Sequence, residues 1–349
     1  IRDTLESRIT KESVLVSAFG YKAKNIFKNI KQVQIVACGT SYNAALVAKY
    51  WLEDIAKIPC NVEVASEYRY RNPVILNDTL FVAISQSGET ADTLEALRTA
   101  KKINNTIDTL CICNSAESSI TRNSDLIFLT HAGPEIGVAS TKAFTTQLVA
   151  LALLTCSIGV SKETISKKRE KSIVEGLTLL PGLIDECLLE EDQIKKIALC
   201  FKDKNSALFI GRGTMHAIAM EGALKLKEIS YIHAESYPAG ELKHGPIALI
   251  DDSIPVVAVA PNDELLVKLK SNLQEIKSRG SQMFVFEDKG SKVKPMKEME
   301  VISITSNLGR ITAPIIFTIP LQLLSYHVAL IKGTDVDKPR NLAKSVTVE

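Results

Sequence analysis

Short apolar runs alternate with helix-length stretches along most of this chain. Residues 33–38, 61–65, 80–84, 109–113 and 126–129 predict strands, with helices over 42–55, 91–102 and 143 to about 158. Leu80-Phe81-Val82-Ala83-Ile84 has no polar position at all, as expected of a strand covered on both faces. Strand followed by helix, repeated, predicts a parallel α/β sheet. Residues 161–193 are rich in charge and helix formers, and they read as a helical connection broken at Pro181-Gly182. The pattern then restarts with a helix over 194–201, a strand over 207–210, a turn at Gly211-Arg212-Gly213-Thr214 and a long helix. Strands over 255–260, 282–286 and 300–304 and a helix near 321–331 follow. Val36-Ala37-Cys38-Gly39-Thr40 aligns with Ile210-Gly211-Arg212-Gly213-Thr214, and an alanine-rich helix follows each, so the chain carries an internal duplication. In the second copy Pro261-Asn262-Asp263 stands where the first has Ser85-Gln86-Ser87-Gly88-Glu89-Thr90. The expected organisation is a helical lead-in (1–28), a first domain (29–160), a connection (161–193), a second domain (194–332) and a polar tail (333–349).

The long helix changes the picture most. At about 100° per residue, Glu221, Lys225 and Glu228 share one face while Leu224, Leu226 and Ile229 spread over the rest. A helix apolar almost all round is buried, and ions on it form either a paired structural network or the wall of a polar pocket. The turn-rich stretch after it, bracketed by Pro238-Ala239-Gly240 and Gly245-Pro246, holds Glu241, Lys243 and His244. Of five histidines, His244 alone stands in such a loop, where an imidazole suits acid and base work. Ser85, Ser87 and Thr90 with Gly88 follow a buried strand and open a helix, so hydroxyls, N–H groups and the positive helix end favour an anion of phosphate size. Thr40-Ser41 is expected at a neighbouring strand end, with simple helix capping as the other reading.

Composition narrows the classes. With 349 residues and 46% apolar content, two cores are expected, and 42 basic against 40 acidic residues, interspersed, leave no field for nucleic acid. Seven cysteines without a Cys-x-x-Cys pair fit thiols of a reducing cytoplasm rather than zinc or disulfides, and no metal or cofactor is expected. The apolar run 311–331 has spanning length, but Pro314, Pro320, Gln322 and His327 interrupt it, so it reads as buried connection and helix rather than membrane span.

Cys38-Gly-Thr-Ser-Tyr, Ser85-Gln-Ser-Gly-Glu-Thr-Ala-Asp, Gly137-Val-Ala-Ser-Thr-Lys-Ala, Glu221-Gly-Ala-Leu-Lys-Leu-Lys-Glu, Gly240-Glu-Leu-Lys-His-Gly-Pro and the tail from Asp335 to Glu349 together resemble the glucosamine-6-phosphate synthase family. The likeness covers almost the whole chain and corresponds to the isomerase half, without the glutaminase half. It implies two tandem flavodoxin-like three-layer αβα sugar-isomerase (SIS) domains with parallel sheets. It further implies that fructose 6-phosphate or a related hexose phosphate binds the first domain, with Ser85, Gln86, Ser87 and Thr90 on the phosphate and Thr40 and Ser41 near sugar or phosphate. Glu228 would carry the proton between C1 and C2, Lys225 would stabilise enolate-like charge, and Lys344 would act at the carbonyl. His244 would open the ring from the partner chain of a homodimer with shared sites. Glu135, Val138 and Ala343 correspond to positions lining the sugar and the ammonia path, the ammonia coming from a covalently attached glutaminase domain. The rival reading is a sugar-phosphate sensor, which needs the hydroxyl loop but not Glu228, Lys225, His244 or Lys344.

Overall fold

A computed structural model describes residues 1–305 and 308–347; Ser306, Asn307 and the last two tail positions, Val348 and Glu349, lie outside the described residues. The chain divides into two compact units. The first comprises Ile1–Glu135, Ser140–Thr178 and Ala343–Glu349, and the second Ile136–Ala139 and Leu179–Leu342.

In the first unit, α1 (Arg2–Leu5) and α2 (Ala23–Asn29) precede a sheet of five strands. The order along the chain is β1 (Gln32–Ala37), α3 (Gly39–Asp54), β2 (Cys60–Val64), α4 (Ala65–Tyr68), β3 (Thr79–Ser85), α5 (Ala91–Ile103), β4 (Asp108–Cys113), α6 (Ser119–Arg122) and β5 (Leu126–Leu129), with α7 (Lys142–Ser161) after it. The strands pair in parallel in the order β2-β1-β3-β4-β5. All seven residues of β3 are buried, as its unbroken apolar run requires of a strand covered on both sides. On one side Phe81, Ala83 and Cys111 pack with Tyr68, Ala96, Leu97 and Ile120 of the short helices and α5. Cys111 and Cys113 point to the same side of β4, being two residues apart, and both remain free thiols.

The division between the units falls inside α8 (Lys167–Leu188), which runs through Pro181 without ending. The predicted break at Pro181-Gly182 is therefore absent. A proline inside a helix removes one hydrogen bond, and here the apolar face of the helix outlasts that loss. The second unit continues with α9 (Glu191–Ala198), β6 (Ser206–Gly211), α10 (Thr214–Ser230), β7 (His233–Pro238), β8 (Val256–Ala260), α11 (Leu266–Lys277), β9 (Met283–Asp288), β10 (Met299–Thr305) and α12 (Thr312–Lys332). Its parallel order, β10-β9-β8-β6-β7, repeats that of the first unit strand for strand. The expected fold class, two duplicated parallel α/β sheets flanked by helices, is thus what the chain adopts.

Two local differences stand out. β7 lies where continuous loop was expected, because His-Ala-Glu-Ser-Tyr-Pro is a polar edge strand with no apolar run to reveal it. α12 begins at Thr312 and passes through both Pro314 and Pro320, so the predicted connection is helix from the start. α7 and α12 are long and apolar enough to cross a membrane, yet 94% and 67% of their most apolar windows are buried within the protein, as core helices. Gly222 explains how α10 seats on its sheet: a Cβ there would stand 2.7 Å from Leu321 and 3.1 Å from Phe209, so only glycine permits the approach.

Candidate active site

In the first unit the chain leaves β1 toward β2 on one side and returns to β3 on the other, so the carboxyl ends of β1 and β3 form the switch point of an open parallel sheet. Both predicted loops lie there, with Ala37 paired to Ile84 in register. Ser85 ends β3, and its hydroxyl lies 2.9 Å from that of Thr90 and accepts the Gly88 N–H at 3.0 Å. The Ser87 hydroxyl accepts the Glu89 N–H, and Thr90 is the N-cap residue of α5. Gly88 has φ +70°, and a Cβ on it would stand 2.1 Å from the Ser118 hydroxyl, so the loop turns beneath α6 where no side chain fits. Glu89 reaches across to accept the Ser119 N–H at 2.7 Å, which ties the loop to its neighbour; hydrogen bonding from the Ser119 side chain, and then from its N–H, holds the carboxyl below the usual value. Three hydroxyls are thereby gathered at the positive end of α5.

Thr40 and Ser41 sit in the first turn of α3 rather than in a turn before it. The Ser41 hydroxyl is buried and accepts a hydrogen bond from the Gln147 amide of α7 at 2.9 Å. Gln147 was missed by the sequence reasoning, although a single amide inside the apolar run 143–158 was a visible signal. Gln86 is half-buried in the same loop.

The tail returns to this unit. The Ala91 N–H, at the start of α5, donates to Val346 O at 3.1 Å, which lays the tail beside the hydroxyl loop. Lys344 Nζ lies 2.9 Å from Glu135 Oε2, while Ala343 is exposed. Glu135 is 5% exposed, and its other oxygen accepts the N–H groups of Thr141 and Ala143 at 2.7 and 3.2 Å. Burial pushes the Glu135 carboxyl up, but those N–H donors and the Lys344 ammonium outweigh it and hold the group below its ordinary value. Val138 belongs to the second unit, where its N–H donates to Asp337 O at 2.8 Å.

In the second unit α10 brings the predicted ion row together. Lys225 Nζ lies 2.5 Å from Glu228 Oε2 and 3.4 Å from Glu221 Oε1. Lys225 and Glu221 are 2% and 1% exposed, whereas Glu228 is 20% exposed and is the more accessible of the two carboxylates. Burial would lower the Lys225 pKa, but the charges of Glu221 and then Glu228 more than offset it, and the ammonium is held above its ordinary value. Its contribution to stability is therefore complete below the free lysine value of 10.5 and is lost only as pH climbs through the higher folded value. A carboxylate beside a charged ammonium is an arrangement that can carry a proton and offer a partner to developing oxyanion charge. His244 closes a short 3-10 turn, Ala239–His244, and is exposed; Gly245 follows with φ +134°.

The second unit has its own switch point between β6 and β8, and it is filled. Arg212, Val259, Pro261, Asp263, Leu265, Leu266 and Leu269 line a crevice there with no room for a water molecule. Where Pro261-Asn262-Asp263 stands, the second unit thus lacks both the hydroxyls of the first unit's loop and the space beside them.

Two units of this topology, one with a hydroxyl loop at its switch point and one with a buried ion row, define a duplicated parallel α/β protein. A model of the SIS domain matches residues 26–157 and 200–332, each copy enclosing one of the five-stranded sheets, and the chain belongs to the SIS domain family. Across its full length it is 59% identical to the glutamine–fructose-6-phosphate aminotransferase (isomerizing) of Pseudomonas putida, spanning 57% of that relative's length. The C-terminal domain of glucosamine-fructose-6-phosphate aminotransferase from Francisella tularensis is 51% identical and superposes with a TM-score of 0.93 over 96% of this chain and 94% of that one. Glucosamine-6-phosphate deaminase from Thermotoga maritima is 25% identical with a TM-score of 0.74, covering 98% and 99% of the two chains. Within the SIS family the chain thus corresponds to the isomerase domain of the glutamine–fructose-6-phosphate aminotransferases.

Proposed function

We propose that the chain binds fructose 6-phosphate through Ser85, Gln86, Ser87 and Thr90, with Thr40 and Ser41 beside them, and that Glu228 moves a proton between C1 and C2. The observation that carries this reading is the Glu221-Lys225-Glu228 row, in which a buried ammonium stands against the one accessible carboxylate. Glu228 removes the C1 proton, Lys225 holds the oxyanion that develops at O2, and return of the proton to C2, with the O1 proton passing to O2, gives glucose 6-phosphate. This is an isomerisation without net oxidation. When ammonia has first replaced the C2 carbonyl oxygen and water has left, the same transfer gives glucosamine 6-phosphate. The lengths of the relatives support a glutaminase domain as the ammonia source in the longer protein, with Val138 and Ala343 near the ammonia path. Seven free thiols support a cytoplasmic location.

Incubation of the chain with fructose 6-phosphate is expected to yield glucose 6-phosphate, and added ammonia to yield glucosamine 6-phosphate. Binding without either product would establish the sensor instead, and ammonia released from glucosamine 6-phosphate with no net synthesis would point to a deaminase.

His244 is assigned to ring opening in the partner's site of a homodimer. Its exposure and its place after a strand, on a glycine-flanked turn, support this assignment. Neither a Glu228→Ala nor a His244→Ala homodimer is then active, but mixing the two after dissociation makes hybrids with one intact site. Random reassortment makes about half the dimers hybrid, so about a quarter of wild-type activity returns. If histidine and glutamate act within one chain, mixing restores nothing.

A further inference from the structure

The resemblance places Glu135 among residues that line the sugar and the ammonia path, and the structure shows what its carboxylate holds within the chain. One oxygen is taken by the N–H groups of Thr141 and Ala143 at the start of α7, and the other faces Lys344 Nζ at 2.9 Å. The partners are 209 positions apart in the chain, and the carboxylate is 5% exposed. A buried carboxylate locked to a helix end has a fixed position. Whatever ammonium it holds inherits that position, at a much smaller entropic cost than a lysine on an untethered segment would incur. The second tie of the tail, Ala91 N–H to Val346 O, lies two residues further on and points the same segment at the start of α5, next to Thr90.

We infer that Glu135 is a positioning residue: it anchors Lys344, and with it the C-terminal tail, on the rigid end of α7 and so sets where the ammonium stands during turnover. This rests on the reading that Lys344 acts at the substrate carbonyl. Glu135 does not touch substrate in this account. Its ionised form is required, and because its pKa is held low the anchor is complete above pH 4.5, the ordinary glutamate value, and is released only as pH falls through the lower folded value.

Glu135→Gln separates the two duties of the side chain. The amide oxygen still accepts from Thr141 and Ala143, while the amide NH2 is turned against the Lys344 ammonium, donor against donor. Tail exchange, read by mass spectrometry on the full chain at the Ala91 amide that Val346 O holds, is expected to become several-fold faster, with the exchange of α7 unchanged. Turnover of fructose 6-phosphate is expected to fall by about a hundredfold with KM within a few-fold, the cost of misplacing a reacting group by about 1 Å. Lys344→Met is expected to speed tail exchange equally, and the double variant to be no worse than Lys344→Met alone. Unchanged tail exchange in Glu135→Gln overturns the inference, as does a loss of turnover that persists in full when Lys344 is already gone. Should Glu135→Gln fail to fold, tail exchange in Lys344→Met decides: protection as in the parent chain shows that the pair anchors nothing. Full turnover in Lys344→Met would sink the role given to that lysine in the reaction, while the exchange data still report on the anchor by itself.

Discussion

Glu228→Gln is expected to lower turnover by about 100- to 10,000-fold while leaving substrate affinity within a few-fold. The substitution keeps the shape and a hydrogen-bonding group, and it removes only the ability to carry a proton. It also leaves the ammonium of Lys225 beside a neutral amide, with Glu221 still at 3.4 Å as counter-charge, so α10 stays folded. The phosphate loop is untouched, because Ser85, Ser87 and Thr90 are held by their own bonds and by Glu89. Calorimetry with fructose 6-phosphate beside steady-state kinetics checks the pair of outcomes. Equal loss of binding and turnover would mean that Glu228 is part of the scaffold.

Lys225→Met is expected to abolish turnover and also to destabilise the second unit, unlike Glu228→Gln. Removing the cation leaves two carboxylates on one face of a helix, one of them 1% exposed. Breaking a buried ion pair costs about 3–5 kcal/mol, and in a unit of this size that corresponds to a fall of about 6–20 °C in Tm. Methionine fills much of the lysine's volume, so the loss reports on charge rather than on a cavity. Adding Glu221→Gln is expected to restore part of the stability and none of the turnover. A Tm unchanged in Lys225→Met would show that the ion row is too well hydrated to act as described.

The fold was legible where periodicity was strong. Apolar runs such as Leu80 to Ile84 mark strands covered on both faces, and the aligned Cys38-Gly-Thr and Arg212-Gly-Thr turns reveal the duplication that the two strand orders repeat. β7 was hidden because an edge strand has no need of an apolar face, and Pro181 and Pro320 misled because tertiary burial overrides a local breaker. The ion row was legible because i, i+4 and i+7 spacing defines a helical face without reference to any other element. Contacts between distant segments left no such trace. Nothing in the sequence joins Ser41 to Gln147 or Glu135 to Lys344, since each pairing exists only once the sheet has brought α7 alongside.

The filled crevice of the second unit bears on how many molecules a chain holds. A duplicated fold begins with two equal docking points, and cooperative filling within one polypeptide would then be available to it. Here Pro261, Asp263 and Leu265 line a crevice with no room for water, so on the proposed function a titration with fructose 6-phosphate is expected to show a single class of site and an equivalence of one per chain. Any sigmoidal response to substrate must then arise between chains and not within one.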